Sequence, residues 1–295
     1  MKIEEIENPI EKFVAFIAER EAIRMRRFVM KKPWPWTDDD ILQEYRFTNI
    51  HREDDAVSQH YQNTVRNRYS TSPLILPATV IYRWFNRPST CDAIFRNTIG
   101  KSYFEAYIHS GDLDFLNVCI NQLPTPHVTG AYLIPSKEGY SKAEGVLQYI
   151  HGWMHRRWAE TWEEWKKDSP LLSQMFEWLN GEGLGSFMIG QIIADLKYLE
   201  YLKGAEDWWT WATPGPGSKR GLNIVYDQPM EQSWPKGTWL PALVELSNHV
   251  TPLLKGYGID RLHNQDLQNC LCEFSKYTKT ARGIGRPRQI FRNRG

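Results

Sequence analysis

Apolar side chains recur every third or fourth position along several stretches of the chain, which is the spacing of amphipathic helices. The clearest predicted helix runs from about residue 142 to 167. Its apolar positions are Leu147, Ile150, Met154, Trp158, Trp162 and Trp165. The same periodicity predicts further helices over these ranges: 9–30, 38–45, 66–87, 170–180, 186–204, 241–255 and 264–278. In the first of them, Arg20, Arg24 and Arg27 fall off the apolar face.

Glycine and proline interrupt this pattern in two places. Residues 111–135 are predicted to form a loop with an extended piece at GAYLI, and residues 207–223 are too rich in glycine and proline for regular structure. What remains is helical, so the sequence predicts a mainly α fold. We expect one helical catalytic domain over residues 1–275 and a basic tail over 276–295, where seven basic residues occur without an acidic one.

Composition narrows the class of protein. The 295 residues are 41% hydrophobic and 24% charged, as in folded, water-soluble proteins. The 36 basic and 35 acidic residues give a net charge of +1, so nucleic-acid binding has to come from local basic clusters. Without a long apolar run or an apolar signal segment, and with four cysteines, we expect a reduced, cytoplasmic protein that does not enter a membrane.

The segment 181–194 has the pattern of two helices joined by a glycine turn. A G-L-G turn before an apolar helix is typical of a helix-hairpin-helix, whose backbone N–H groups hold a DNA phosphate. Over about residues 171–211 it resembles the helix-hairpin-helix DNA glycosylases, which place a catalytic aspartate where Asp207 stands. Phe187 replaces the lysine of the lyase members, so a Schiff-base step is not implied. The alternatives are a plain glycine cap and, for Asp207, a helix N-cap.

Three other segments carry candidate chemistry. GPGSKRG, with Gly215, Gly217, Ser218 and Arg220, has the composition of a phosphate-binding nest, although an irregular surface loop explains it as well. RFTNIHREDD concentrates Arg46, Asn49, Arg52 and Asp55, which indicates a network that either holds the fold or shapes an active site. Near the end, Glu273 and Lys276 lie one helical turn apart, and Arg286 and Arg288 form a GRPR sequence suited to DNA phosphates or a minor groove.

Taken in order, these motifs resemble one phage family. KPWPWTDD, RFTNIHREDD, TGAY, GLGSFMIGQIIADL, GPGSKRGLN and LCEFSKY resemble the α-glutamyl/putrescinyl thymine pyrophosphorylases, also met as the helical domain attached to 5-hydroxymethyluracil DNA kinases. The best-understood members are amino acid:DNA transferases that replace the phosphate on phosphorylated 5-hydroxymethyluracil by an amine. Because this chain lacks a Walker A loop, the resemblance implies the transferase that follows the kinase, in the host cytoplasm.

The resemblance implies DNA and an amino acid or polyamine as substrates, the kinase as a possible partner, and no cofactor or metal. A base has to free the amine, and the candidates are Asp207 first, then Glu273 and Asp55. The phosphate or the donor carboxylate would be bound by residues from this set: Arg46, Asn49, Arg52, Gly215, Gly217, Ser218, Arg220 and Lys276. DNA would be held by Gly183, Gly185, Ser186, Gln191, Arg286 and Arg288. Stacking on the extruded base is expected of Trp34, Trp36 or Tyr132.

Two other functions fit the same residues. A helix-hairpin-helix DNA glycosylase would release a modified base and leave an abasic site. A DNA-docking partner of the kinase would bind without chemistry. The density of charged residues in RFTNIHREDD favours an enzyme, because plain DNA binding does not require such a network.

Overall fold

The computed structural model describes residues 2–130, 134, 135, 137–165, 170–180 and 184–291, with the backbone alone for 155–165. The described residues form helices and loops, which confirms the predicted mainly α fold. The helices are α1 (Pro9–Arg24), α2 (Asp40–Glu44), α3 (Ala56–Tyr61), α4 (Asn67–Tyr69), α5 (Ile75–Phe85), α6 (Pro88–Phe95), α7 (Thr98–Ser110), α8 (Asp114–Asn121), α9 (Lys142–Trp165), α10 (Leu172–Leu179), α11 (Ser186–Leu196), α12 (Pro216–Val225), α13 (Trp239–Lys255) and α14 (Asn264–Ala281). Among the described residues, none of these helices combines the length and apolarity needed to cross a bilayer.

The chain divides into two compact units, and the single catalytic domain with a basic tail stays a prediction. The first consists of residues 1–55 and 209–295, and the second of residues 56–208. The first unit therefore combines α1 and α2 with α12, α13 and α14, and the chain of the second unit is inserted between them.

The core of the first unit is rich in aromatic side chains. Phe16 on α1 lies between two rings of α14, with its centroid 5.4 Å from that of Phe274 and 5.1 Å from that of Tyr277. Leu243 and Val250 of α13 belong to the same buried cluster. Burying such rings supplies much of the free energy that holds the helices together.

Helix α12 corrects the prediction for GPGSKRG. We expected a loop there, but Pro216 occupies the first helical turn, where its missing N–H is not needed. Gly217 and Gly221 lie one turn apart and face α14. A Cβ atom on Gly217 would overlap the Cys272 side chain, and one on Gly221 would overlap the backbone carbonyl of Leu271. These glycines are therefore required by close helix packing.

The second unit is built around α5. All eleven residues of α5 are buried, and the helix packs against α9 and α11. Pro77 stands in its first turn, where proline is tolerated, and the helix continues without a break from Ile75 to Phe85. Inside this unit Arg83 forms a bidentate ion pair with Asp195, and both side chains are buried.

The end of the chain also differs from the prediction. Helix α14 continues to Ala281, so the first residues of the expected tail are helical. Further on, the Arg46 N–H donates to the Gln289 carbonyl at 2.9 Å, and the Phe291 N–H donates to the Glu44 carbonyl at 3.0 Å. The described part of the basic segment is thus held against residues 44–46 instead of being free. The expected extended piece GAYLI falls largely outside the described residues.

Candidate active site

A buried arginine of α1 organises the segment that carries RFTNIHREDD. Arg20 is only 5% exposed, although its spacing placed it off the apolar face. Its guanidinium donates to the carbonyl oxygens of Thr48 and Asn49, with Nη2 of Arg20 3.2 Å from the Asn49 oxygen. The Thr48 hydroxyl also accepts from the side-chain amide of Asn269 on α14 at 2.9 Å. Residues 48–55 are therefore fixed between α1 and α14.

Hydrogen bonds within this segment fix the carboxyl group of Asp55. Its Oδ1 accepts the Asn49 N–H at 3.0 Å, and the Asn49 side-chain amide donates to the Asp54 carbonyl at 2.9 Å. Burial raises the pKa of Asp55 to about 6, while the Asn49 N–H bond and the cations Arg52 and Arg20 act against this rise. A carboxyl group with such a pKa can exchange a proton near neutral pH.

A second buried carboxylate fixes the middle of the segment. Asp266 of α14 is 2% exposed, and its Oδ1 accepts the Arg52 N–H at 3.0 Å. Its Oδ2 lies 3.6 Å from Nδ1 of His51 and 3.3 Å from Nε2 of His263. The hydrogen bond to Asp266 raises the pKa of His51 against the opposing effect of burial. Asp266 thus joins the Arg52 backbone and the His51 side chain to α14.

Glu273 and Lys276 form an ion pair one turn apart on α14, as their spacing predicted. Glu273 is buried, whereas the Lys276 side chain is about half exposed at 47%. Burial acts to lower the pKa of Lys276, but Glu273 and Cys272 outweigh it, so the net direction is upward. Lys276 therefore stays protonated and presents a positive charge at the surface of the cluster.

We name these residues the Arg20 cluster: Arg20, Asn49, Arg52, Asp55, Asp266, Glu273 and Lys276. The cluster combines a carboxyl group that titrates near neutrality with several fixed cations. Such a combination can take a proton from a nucleophile and stabilise an anionic leaving group. Within the described residues, no three His, Cys, Asp or Glu side chains are arranged to hold a metal ion.

Sequence reasoning found five members of the Arg20 cluster and missed two. Arg20 and Asp266 lie inside regular helices, where their neighbours in the chain give no hint of a buried polar role. A weak signal existed for Asp266, since residues 266 and 273 are seven apart and lie on one face of α14.

The remaining phosphate-binding candidates have other partners. Gly215 precedes α12, where its N–H and carbonyl bond to the buried Ser218 hydroxyl. Gly217 packs on α14, and Arg220 pairs with Glu231 at 2.8 Å. The expected loop is therefore a helix start, and phosphate binding by Gly215, Gly217, Ser218 and Arg220 stays a prediction. Arg46 is exposed on the side where the chain end pairs with residues 44–46.

Asp207 belongs to the second unit and contacts a helix N-terminus there. Its two carboxylate oxygens accept the N–H groups of Leu172 and Ser173, at 2.8 and 3.0 Å, in the first turn of α10. Such bonds satisfy backbone N–H donors in the first turn of α10 that have no partner within the helix. These contacts agree with the alternative that Asp207 caps a helix. The helix that it caps is α10, which precedes it in the chain, and not a turn that follows it. Its catalytic role stays a prediction.

Replacing Asp207 by Asn should lower the free energy of unfolding by about 1 kcal/mol and leave turnover per folded molecule unchanged. The amide keeps one acceptor oxygen but turns an NH₂ group towards the second N–H donor of α10. Denaturant unfolding measures the first effect and product formation the second, with the exposed neighbour substitution Glu206→Gln as control. Lost turnover at unchanged stability would restore Asp207 as the base.

The hairpin candidates are only partly described. Gly183 and Tyr132 lie outside the described residues. Gly185 is the N-cap of α11 with an extended backbone (φ −76°), and Ser186, the first residue of that helix, is exposed. Gln191 is partly buried within α11. The helix-hairpin-helix reading and the DNA contacts assigned to Gly185, Ser186 and Gln191 remain predictions.

Comparisons with known proteins show which family this chain is similar to. A family model described as "5-hmdU DNA kinase, helical domain" matches residues 7–284. A curated relative, the "5-hmdU DNA kinase" of Bacillus phage SP10, is 26% identical over 291 residues, which cover 88% of this chain and 43% of the relative. The chain thus spans less than half the length of that relative. No solved structure matches.

Proposed function

The chain belongs to the family of 5-hmdU DNA kinase helical domains, and from this premise we propose that it is a DNA-modifying transferase. It acts on 5-phosphomethyl-deoxyuridine in DNA and exchanges the phosphate for an amine. The amine nitrogen bonds to the exocyclic methylene carbon while the bond from that carbon to the phosphate oxygen breaks. One proton passes from the donor ammonium, through a base, to the departing phosphate, which leaves as hydrogenphosphate.

One arrangement carries this proposal, namely that the buried Asp55, whose pKa burial raises to about 6, lies beside the cations Arg20 and Arg52. A donor amine is mostly protonated at neutral pH and has to lose a proton before it attacks. A base with a pKa close to the working pH does this best. Burial gives Asp55 that property, and Arg52 and Lys276 provide positive charge for the phosphate oxygens. We therefore propose Asp55, and not Asp207, as the base that deprotonates the amine.

Glu273 has a supporting role in this proposal. Its ion pair with Lys276 keeps that side chain protonated and orients it. Asn49 and Arg20 position the segment from which Asp55 projects, and Asp266 does the same for Arg52. The target base leaves the DNA stack to reach the cluster.

The test is incubation of the protein with DNA containing 5-phosphomethyl-deoxyuridine and a pool of amino acids and polyamines. Digestion to nucleosides and mass spectrometry then identify the product. We expect a nucleoside in which an amine has replaced the phosphate. Free modified base would indicate a glycosylase. Unchanged DNA, together with binding to the kinase, would indicate a docking domain.

A further inference from the structure

A cation surrounded by aromatic rings occupies one surface of the first unit. The guanidinium of Arg27 lies 4.6 Å from the ring centroid of Phe28, 4.9 Å from that of Trp36 and 5.3 Å from that of Phe291. Trp34 and Phe291 line one groove beside it. We call this the Arg27 surface, made of Arg27, Phe28, Trp34, Trp36, Arg46 and Phe291. The sequence suggests Trp34 and Trp36 for stacking on a base and Arg46 for phosphate binding, and the chemistry proposed for the Arg20 cluster uses none of these three.

Hydrogen bonds hold two rings of the Arg27 surface, Trp36 and Phe291, in place. The indole N–H of Trp36 donates to the Lys32 carbonyl at 2.8 Å, and Arg26 donates to the Trp36 carbonyl at 2.6 Å. Phe291 is positioned by its N–H bond to the Glu44 carbonyl. These two rings pack on the Arg27 guanidinium, and side chains positioned in advance lose little conformational entropy on binding.

The two arginines of this surface have no ion-pair partner among the described residues. Within the part of the chain that the structure describes, neither Arg27 nor Arg46 forms an ion pair with a carboxylate. The adjoining groove is lined by Asp40, which pairs with Lys2, and by Glu44. Burial lowers the pKa of Arg27, and the nearby positive charge of Arg46 lowers it further. Two neighbouring arginines repel each other unless an anion lies between them.

Flat apolar side chains stand exposed beside these charges. Phe28 is 55% exposed and Trp34 is 45% exposed, and Val29, Met30 and Ile290 are more than half exposed as well. A stacked guanidinium keeps its edge N–H groups available for phosphate oxygens. Exposed rings together with unpaired cations form the platform on which single-stranded nucleic acids stack.

We propose that the Arg27 surface binds a single-stranded segment of DNA, with bases against Trp34 and Phe28 and phosphate between Arg27 and Arg46. This inference rests on the proposed function in that DNA is the substrate. In a duplex the base faces are stacked on one another and cannot cover Trp34. Arginine and aromatic side chains also occur in protein interfaces, but two neighbouring arginines without a carboxylate partner among the described residues favour an anionic ligand such as a DNA phosphate. In this proposal the Arg27 surface binds the single-stranded DNA next to the extruded nucleotide.

The experiment is fluorescence anisotropy with a labelled thymidine oligonucleotide of about 12 nucleotides, compared with a duplex of equal length. We expect tighter binding of the single strand. Trp34→Ala should weaken it about 10-fold. Arg46→Gln, at an exposed position that folding does not require, should reduce the slope of log K against log salt by about 1. The controls are Tyr257→Ala and Lys255→Gln, which remove an exposed ring and an exposed cation elsewhere in the same unit.

Several results would overturn this assignment. They are equal affinity for the duplex, wild-type binding by both Trp34→Ala and Arg46→Gln, and an equal loss with the two control variants. The outcome is separable from that of the proposed function, because oligonucleotide binding needs neither the modified base nor turnover. If the wild-type protein forms product and the Trp34→Ala variant binds the oligonucleotide normally, only the assignment of the Arg27 surface is wrong. Strand binding without product would remove the transferase function only.

Discussion

Replacing Asp55 by Asn should lower turnover by about 10²- to 10⁴-fold, the usual contribution of a general base. The amide oxygen can still accept the Asn49 N–H, so the segment keeps its conformation. What is lost is the ability to take a proton from the donor amine. The measurement is the rate of product formation at saturating donor, with oligonucleotide binding by the same variant expected to be unchanged.

The pH dependence gives an independent check on this role. Activity of the wild-type protein should fall below about pH 6, because Asp55 becomes protonated there and cannot act as a base. The control is Asp54→Asn, since Asp54 lies next in the chain and pairs with Arg24 at 3.4 Å without belonging to the Arg20 cluster. If the Asp55 and Asp54 variants lose activity equally, or if the acid limb persists without Asp55, the base is another group.

The same substitution predicts a change in stability with pH. The pKa of Asp55 is raised in the folded state, from an ordinary value of 3.8 to about 6. The contribution of Asp55 to the free energy of unfolding is therefore fully present below pH 3.8 and is lost as the pH rises through 6. In the Asp55→Asn variant the side chain does not ionise, so this pH-dependent loss of stability is absent. Denaturant unfolding from pH 4 to 7 should show the variant gaining stability relative to wild type, and a constant difference would contradict the raised pKa.

The second large effect is expected from Gly221→Ala, which should lower the free energy of unfolding by about 3 kcal/mol. Alanine has the higher helix propensity by roughly 1 kcal/mol, so propensity alone predicts stabilisation. The added Cβ, however, overlaps the backbone oxygen of Leu271 and pushes α12 away from α14. Urea unfolding followed by circular dichroism measures the balance of these two effects.

Gly152→Ala is the matched control for that substitution. Gly152 also lies within a helix, and a Cβ atom there meets nothing within 4 Å. This variant should be as stable as wild type or slightly more stable. Stabilisation by both alanines would mean that α12 and α14 are not as closely packed as described.

Local sequence patterns predicted the helices better than the contacts between them. The periodicity around Leu147 and Ile150 predicted α9, and the density of Arg and Asp in RFTNIHREDD indicated the cluster around Asp55. Both signals are local, because periodicity and charge density are properties of neighbouring residues. The pKa of Asp55 is not local, since it depends on burial by elements distant in the chain.

The errors have the same physical origin. GPGSKRG has the composition of a loop, and only the presence of α14 explains why glycine is needed at Gly217 and Gly221. Arg20 is polar and was expected off the apolar face, but its partners Thr48 and Asn49 come 28 and 29 residues later. Tertiary contacts override propensity at these positions, and one sequence gives no direct view of them.

The division of the first unit between residues 1–55 and 209–295 affects the order of folding during synthesis. On the ribosome, residues 56–208 emerge complete and can form their core first. Helix α1 emerges earlier, yet Phe13 and Phe16 find their partner Phe274 only when the last helix has been made. The apolar face of α1 therefore stays without these partners until α14 has been synthesised.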